Sequence, residues 1–354
     1  MEYITKHKKD IIIFFAFWIL WGFISIAWTH FPYYDWFNYH YYNGYAFVEN
    51  RYGTDFLASN YRTYFIPYLD IIQYYIINLF NNNLRGFLFF EAWDSALVFL
   101  LCYKIGNFLF QNNNQFREYA TGWLVLYTLF APVPLLLMEF SMTDMKIACL
   151  ILTTFYILLK KLFEENNLKY IFISGLLCGC AAALKLTASL YCITIFLCIL
   201  FLSKRIKCPF KTLVIYSLGV GLSFLALALP WYLFIYSHFK NPIFPYFNHI
   251  FQSPYANPTQ LLDKDFYHIR ARNFLEVVFF PFVRDMNHIL GSDENAYDPR
   301  YAIGFISLIF IIPQIWKNIK DKFYLNIIQI NHLIFLILFV FISFYLNSGI
   351  FGTY

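Results

Sequence analysis

Charge is what this 354-residue chain has least of. Asp, Glu, Lys and Arg make up 13% of it, against roughly a quarter in a soluble domain. That shortage excludes an ordinary soluble enzyme. The few basic residues gather at the ends of apolar runs, so the formal charge of +5 does not describe a nucleic-acid surface. No P-loop, Gly-rich dinucleotide turn or Gly-x-Ser-x-Gly elbow occurs, which leaves nucleotide-driven chemistry without a carrier. None of the seven cysteines falls in a long hydrophilic segment, which excludes a disulfide framework. Cys178 and Cys180 stand too close for zinc spacing and read as small residues packed between helices. Internal repeats and coiled-coil heptads are missing too. Potential metal ligands do not cluster, so a divalent metal stays open as a cofactor with no residue assigned to it.

What the chain does have is apolar runs along its whole length, with 60% hydrophobic residues. This is the composition of an all-α polytopic membrane protein. The abundance of Phe, Tyr, Ile, Asn and Lys also follows from AT-rich codons, so aromatic stripes carry little functional weight. The first apolar run, about 18 residues, follows the basic MEYITKHKKD and precedes no small-residue cleavage site. It reads as a retained anchor with a cytoplasmic N-terminus.

Helices are expected at 11–29, 86–108, 119–138, 144–160, 169–186, 188–203, 212–236, 302–316 and 326–347. The apolar segment 63–80 contains Pro67, Asp70 and Gln73. If it crossed the bilayer, the basic loops 160–169, 204–211 and 317–322 would all fall outside, against the positive-inside rule. It is therefore expected to lie as an interfacial helix on the outer leaflet. The expectation is about nine transmembrane helices, with three external regions: a long first loop over 30–85, a tight turn near 139–144, and 237–301. The division that follows is 1–236 as a transmembrane catalytic module, 237–301 as an external loop region and 302–354 as C-terminal transmembrane helices.

The residues that could carry chemistry lie at the expected outer face. Asp35 stands where the first helix leaves the bilayer, among Tyr33, Tyr34 and Trp36, and is either a desolvated base or a helix-end acid marking the interface. Glu139 and Asp144 flank a tight turn; Thr143 or Asp144 either caps the next helix or faces the same cavity as Asp35. Lys185 ends a helix carrying Gly175, Gly179 and three alanines, and either snorkels or holds an anion, a phosphate being the obvious one. Arg62, Arg270, Arg272 and Arg284 are surface charges or phosphate ligands. Glu91 and Asp94 lie within a helix, facing the bundle interior, and are assigned no role.

Taken in order, these residues resemble the GT-C type of membrane glycosyltransferase. The resemblance rests on Tyr34-Asp35-Trp36-Phe37-Asn38-Tyr39-His40 after the first helix and Thr143-Asp144 at the next turn. It also rests on Gly175 to Lys185-Leu186-Thr187, and on Leu229-Pro230-Trp231 before Lys240-Asn241-Pro242. It covers roughly residues 11–250, with a weaker echo at Asp298-Pro299-Arg300. It implies a GT-C-like helical bundle and a polyprenyl-phosphate-linked sugar as donor and co-substrate. The acceptor would be a glycan, lipid or protein, and the site would lie on the external or periplasmic side of a bacterial inner membrane. Asp35 and Asp144 become the catalytic pair, Lys185, Arg270, Arg272 and Arg62 bind the donor phosphate, and His40 and Glu139 orient the acceptor. Such enzymes usually continue past the last helix here, so the resemblance also implies a shortened C-terminus. A transporter or flippase and an inactive truncated relic stand as alternatives.

Overall fold

The computed structural model describes residues 2–28, 36–56, 58–109, 121–123, 125, 143–163, 167–256, 303, 306–307, 313 and 327–350. These residues are helical nearly throughout. In chain order the elements are α1 (Glu2–Trp28), a π-helical turn (Trp36–Tyr41), α2 (Tyr42–Val48) and a four-residue extended piece (Ala58–Tyr61). Then come α3 (Tyr68–Leu79), α4 (Leu84–Glu91), α5 (Trp93–Leu109), α6 (Asp144–Lys161) and α7 (Leu168–Leu184). The last are α8 (Ser189–Phe201), α9 (Pro209–Phe239), the short α10 (Asn248–Phe251) and α11 (Ile327–Ile350). Most expected helices are present to within a few residues. The first begins nine positions early, at Glu2 rather than 11, because its basic segment continues the helix instead of preceding it. The expected helices 119–138 and 302–316 lie almost wholly outside the described residues.

Among the described residues, four helical stretches are long and apolar enough to cross a membrane: Lys8–Ala27, Leu84–Leu109, Pro209–Phe239 and Gln329–Leu346. The tertiary arrangement adds an inverted distribution of side chains. Leu218, Leu222, Leu225, Leu229 and Leu233 form a helical stripe along α9 and all are exposed, as are Phe15, Ile19 and Phe23 on α1. Asp70, Glu91, Asp94 and Lys146 are all buried. Water would drive the opposite sorting, whereas lipid rewards it: apolar chains face outward and charged groups turn inward to one another.

α3 follows the same logic. Its Asp70, Gln73 and Ile77 are buried, while Ile72, Tyr75 and Leu79 are exposed. Its 12 residues span only about 18 Å, well short of the roughly 30 Å of a hydrocarbon core. The first loop is otherwise more ordered than a run of polar, Tyr-rich sequence suggests. Tyr52 and Tyr64 enter one buried aromatic cluster with Trp231, Phe239 and Phe244, and the Trp231 indole donates to the Tyr64 carbonyl at 3.1 Å. That contact fastens the loop to the end of α9.

The contacts also fix the ends of the bundle. Lys9 lies over Tyr103, and Lys104 pairs with Asp10. His332 meets both Phe108 and Phe163, and Arg205 donates to Asn331 at 2.8 Å. Lys161 stands over Tyr170. The basic termini of α1, α5, α6 and α7, the Arg205 turn after α8 and the start of α11 thus share one end, and the first-loop helices gather at the other. α7 and α9 run parallel in close contact along Gly175, Gly179, Gly219 and Ser223, where a Cβ on Gly219 would come within 2.6 Å of the Phe172 carbonyl. Small residues let two backbones approach in this way. All seven cysteines are free, and Cys178 is fully buried as small-residue packing requires.

Candidate functional site

Glu91 closes α4 and Asp94 opens α5, three positions on, so both carboxylates project to one side. Lys146, in the first turn of α6, reaches both. Its ammonium pairs with Glu91 Oε2 and lies 3.1 Å from Asp94 Oδ2. Gln73 Nε2 on α3 donates to the same Glu91 oxygen at 2.8 Å. Asp94 Oδ1 accepts from the Ser95 backbone N–H at 2.6 Å and from its hydroxyl. Among the described residues, Glu91 Oε1 is buried without a partner. Two carboxylates thus share one ammonium inside an apolar bundle, an arrangement tolerated only where the ions hold one another.

Asp144 points elsewhere. Two residues on a helix are about 200° apart, so Asp144 and Lys146 leave α6 on opposite sides. Asp144 Oδ1 lies 2.5 Å from Lys185 Nζ, with both side chains a third exposed. α7 ends at Leu184, and Lys185 turns out of it with an extended backbone (φ −143°, ψ 109°). Of the two roles left open for this turn, Thr143 does not take the capping one: it is itself in a right-handed helical conformation and its side chain makes no capping hydrogen bond. The Asp144 carboxylate keeps its place in the first turn, which suits the helix dipole, but its partner is Lys185 rather than a backbone amide of α6.

In the first loop, the π-helical turn buries Trp36 and His40. His40 Nδ1 and Asp70 Oδ1 are 2.7 Å apart, both side chains nearly inaccessible. Gly44 allows this approach: a Cβ there would stand 2.5 Å from the Asp70 carbonyl oxygen. Arg62 lies over the Tyr39 ring, 5.2 Å from its centre. Arg51 chelates Asp55 with bonds of 2.9 and 2.7 Å, and the Tyr42 hydroxyl donates to the same carboxylate at 3.0 Å. The Arg51 bond holds the Asp55 carboxyl below the usual range. Burial, then the bond to Asp55, pushes the Tyr42 phenol up.

These groups form a row at the end of the bundle away from the basic termini. Asp70 and Gln73, three apart on α3, join the His40 pair to the Lys146 cluster. The first turn of α6 joins that cluster to Lys185. Of the expected site residues, Asp144 and Lys185 are brought together, His40 sits on Asp70, and Arg62 sits on Tyr39. Asp35, Glu139, Arg270 and Arg272 lie outside the described residues. Sequence reasoning passed over Lys146 and the pairing of Asp70, and gave Glu91 and Asp94 no role. A usable signal existed: ionisable residues within apolar helices need partners, and Lys146 is the available cation two residues beyond Asp144. Among the described residues no group of three or more His, Cys, Asp or Glu side chains is arranged to hold a metal.

The chain is thus a helical membrane protein with a polar row at one end of its bundle. No protein-family model, curated protein or solved structure matches it.

Proposed function

We propose that the protein is a membrane glycosyltransferase of the GT-C kind, taking a sugar from a polyprenyl-phosphate donor and passing it to an acceptor hydroxyl. The observation that carries this reading is the meeting of Asp144 and Lys185, 41 positions apart in sequence. They form a partly accessible ion pair at the end of the bundle opposite the basic termini. An ammonium there can serve the leaving phosphate, where negative charge grows as the glycosidic bond breaks. Lys185 would exchange part of its hold on Asp144 for the phosphate, and Asp144, so released, would orient the acceptor. A base of the first loop removes the hydroxyl proton; the resemblance supplies Asp35 for this task. The oxygen attacks the anomeric carbon, the polyprenyl phosphate departs with the bonding pair, and the centre inverts in one displacement. The placement at an outer leaflet, the nine-span count and a bacterial inner membrane belong to this proposal.

The test is to incubate the purified full chain with a panel of polyprenyl-phosphate sugars. Transfer should fall in Lys185→Ala through weaker use of the donor, and in Asp144→Asn through weaker use of the acceptor. Absence of transfer from every donor would overturn the reading. One observation favours a second reading, transport of a lipid-linked or small polar substrate: the Lys146 cluster lies inside the bundle, where ionisable groups mark substrate paths. Substrate uptake by vesicles carrying the protein, lost in Lys146→Met, would favour it.

A further inference from the structure

Asp144 reaches Lys185 only if the first turn of α6 faces the right way. Thr143 does not cap that turn. Lys185 holds it from one side, through Asp144 itself. In the proposed transfer, however, Lys185 gives up part of that hold to the leaving phosphate. What remains is the opposite side. There Lys146 is buried, its ammonium shared between Glu91 at the end of α4 and Asp94 at the start of α5, and 6.0 Å from the centre of the Trp93 ring. Three residues on, the Cys149 thiol donates to the Asp94 carbonyl at 3.2 Å, and Met145 and Cys149 pack with Val98 of α5.

We propose that Lys146 is a positioning residue for sugar transfer, a role that rests on the transferase reading given above. Seated on Glu91 and Asp94, it fixes the rotation of α6 and so aims Asp144 at the acceptor while Lys185 serves the phosphate. No bond to substrate is made or broken at Lys146. An ion cluster suits this task. In lipid, apolar contacts between helices exert little directional hold, whereas a charge-assisted hydrogen bond fixes both distance and direction. The tolerance is small. A side-chain tip stands roughly 5–6 Å from its helix axis, so turning α6 by about 20° carries the Asp144 carboxylate about 2 Å. That is enough to break its 2.5 Å contact with Lys185. A misplacement of about 1 Å at a reacting group costs on the order of a hundredfold in rate.

The experiment compares the full chain in lipid nanodiscs with two variants. Glu91→Gln/Asp94→Asn/Lys146→Met removes every charge of the cluster at similar shape. Glu91→Asp keeps the charges and draws one seat of the ammonium back by a methylene. In the first arm, accessible lysines carry 13C-methyl labels, and Lys185→Arg identifies the Lys185 NMR signal. Asp144→Asn shows where that signal lies once the pair is broken. The triple variant should move it most of the way there, and Glu91→Asp part of the way. Should the triple variant not fold, Glu91→Asp alone decides. A Lys185 signal left unmoved overturns the proposal, whatever the chain transfers. In the second arm, transfer from the polyprenyl-phosphate sugar panel is followed with alkyl glycosides as the acceptor probe. The triple variant should lower kcat/KM for the acceptor about a hundredfold and leave the donor KM unchanged. Adding Asp144→Asn should cost nothing more, because both changes remove the same contact. A merely structural loss would reach the donor as well and add to that of Asp144→Asn, and this result overturns the proposal. If the wild type transfers no sugar, the function itself is refuted, and the Lys185 signal alone decides whether Lys146 positions Asp144.

Discussion

Lys146 gives the sharpest test of how this bundle is held together. Replacing it with Met keeps most of the volume and removes the positive charge that faces Glu91 and Asp94. The Asp94 contact at 3.1 Å corresponds to an attraction of about 5 kcal/mol at an effective dielectric near 20. Part of that offsets the cost of removing the ions from water, and breaking such a group by deleting one member costs roughly 3–5 kcal/mol. The variant Glu91→Gln/Asp94→Asn/Lys146→Met deletes all three charges at similar shape and should recover most of the loss. The assay is thermal unfolding of detergent-solubilised protein, followed by loss of the monodisperse elution peak. The expected order places the wild type and the triple variant close together, with Lys146→Met well below both. Lys146→Met as stable as the wild type would show that the ammonium compensates nothing. A triple variant as unstable as the single would show that its methylene chain matters, not its charge.

Three further outcomes follow from other parts of the fold. Gly179→Val should separate α7 from α9, because even a Cβ at this position would overlap Val220 and Ser223; overpacking costs about 1–3 kcal/mol or more, read as a lower unfolding temperature that Gly221→Val, in open space, does not share. The Asp55 carboxyl is held low by Arg51, so its contribution is complete above the ordinary carboxylate range and lost as pH falls through its lowered value; limited proteolysis of the first loop should rise on acidification in the wild type and be independent of pH in that window in Asp55→Asn. A cysteine at the exposed Tyr75 should react with an impermeant reagent from the membrane face opposite to that reaching the natural, exposed Cys208; labelling of both from one face would refute the placement of α3 opposite the basic termini.

Much of the fold was legible because its signals are local. Long apolar runs name the helices, and lysines at their ends name one side; neither depends on who packs against whom. Gly175 and Gly179 announced a close helix contact for the same reason, though not that α9 supplies it. The site was legible only in part. Asp144 and Lys185 drew attention as ionisable groups at helix ends, while Lys146 was hidden by the strongly apolar helix around it. Thr143 carried a capping residue's identity but not a cap's backbone.

The sequence by itself determined that this is a helical membrane protein with its cations gathered at loop ends, since hydropathy and charge act at the level of each segment. Only the tertiary structure decided which ion answers which: Glu91 and Asp94 with Lys146, Asp144 with Lys185, His40 with Asp70. An apolar surrounding demands that every charge find a partner. The choice among partners tens of residues apart is made by the angle at which each side chain leaves its helix and by how closely the helices pack.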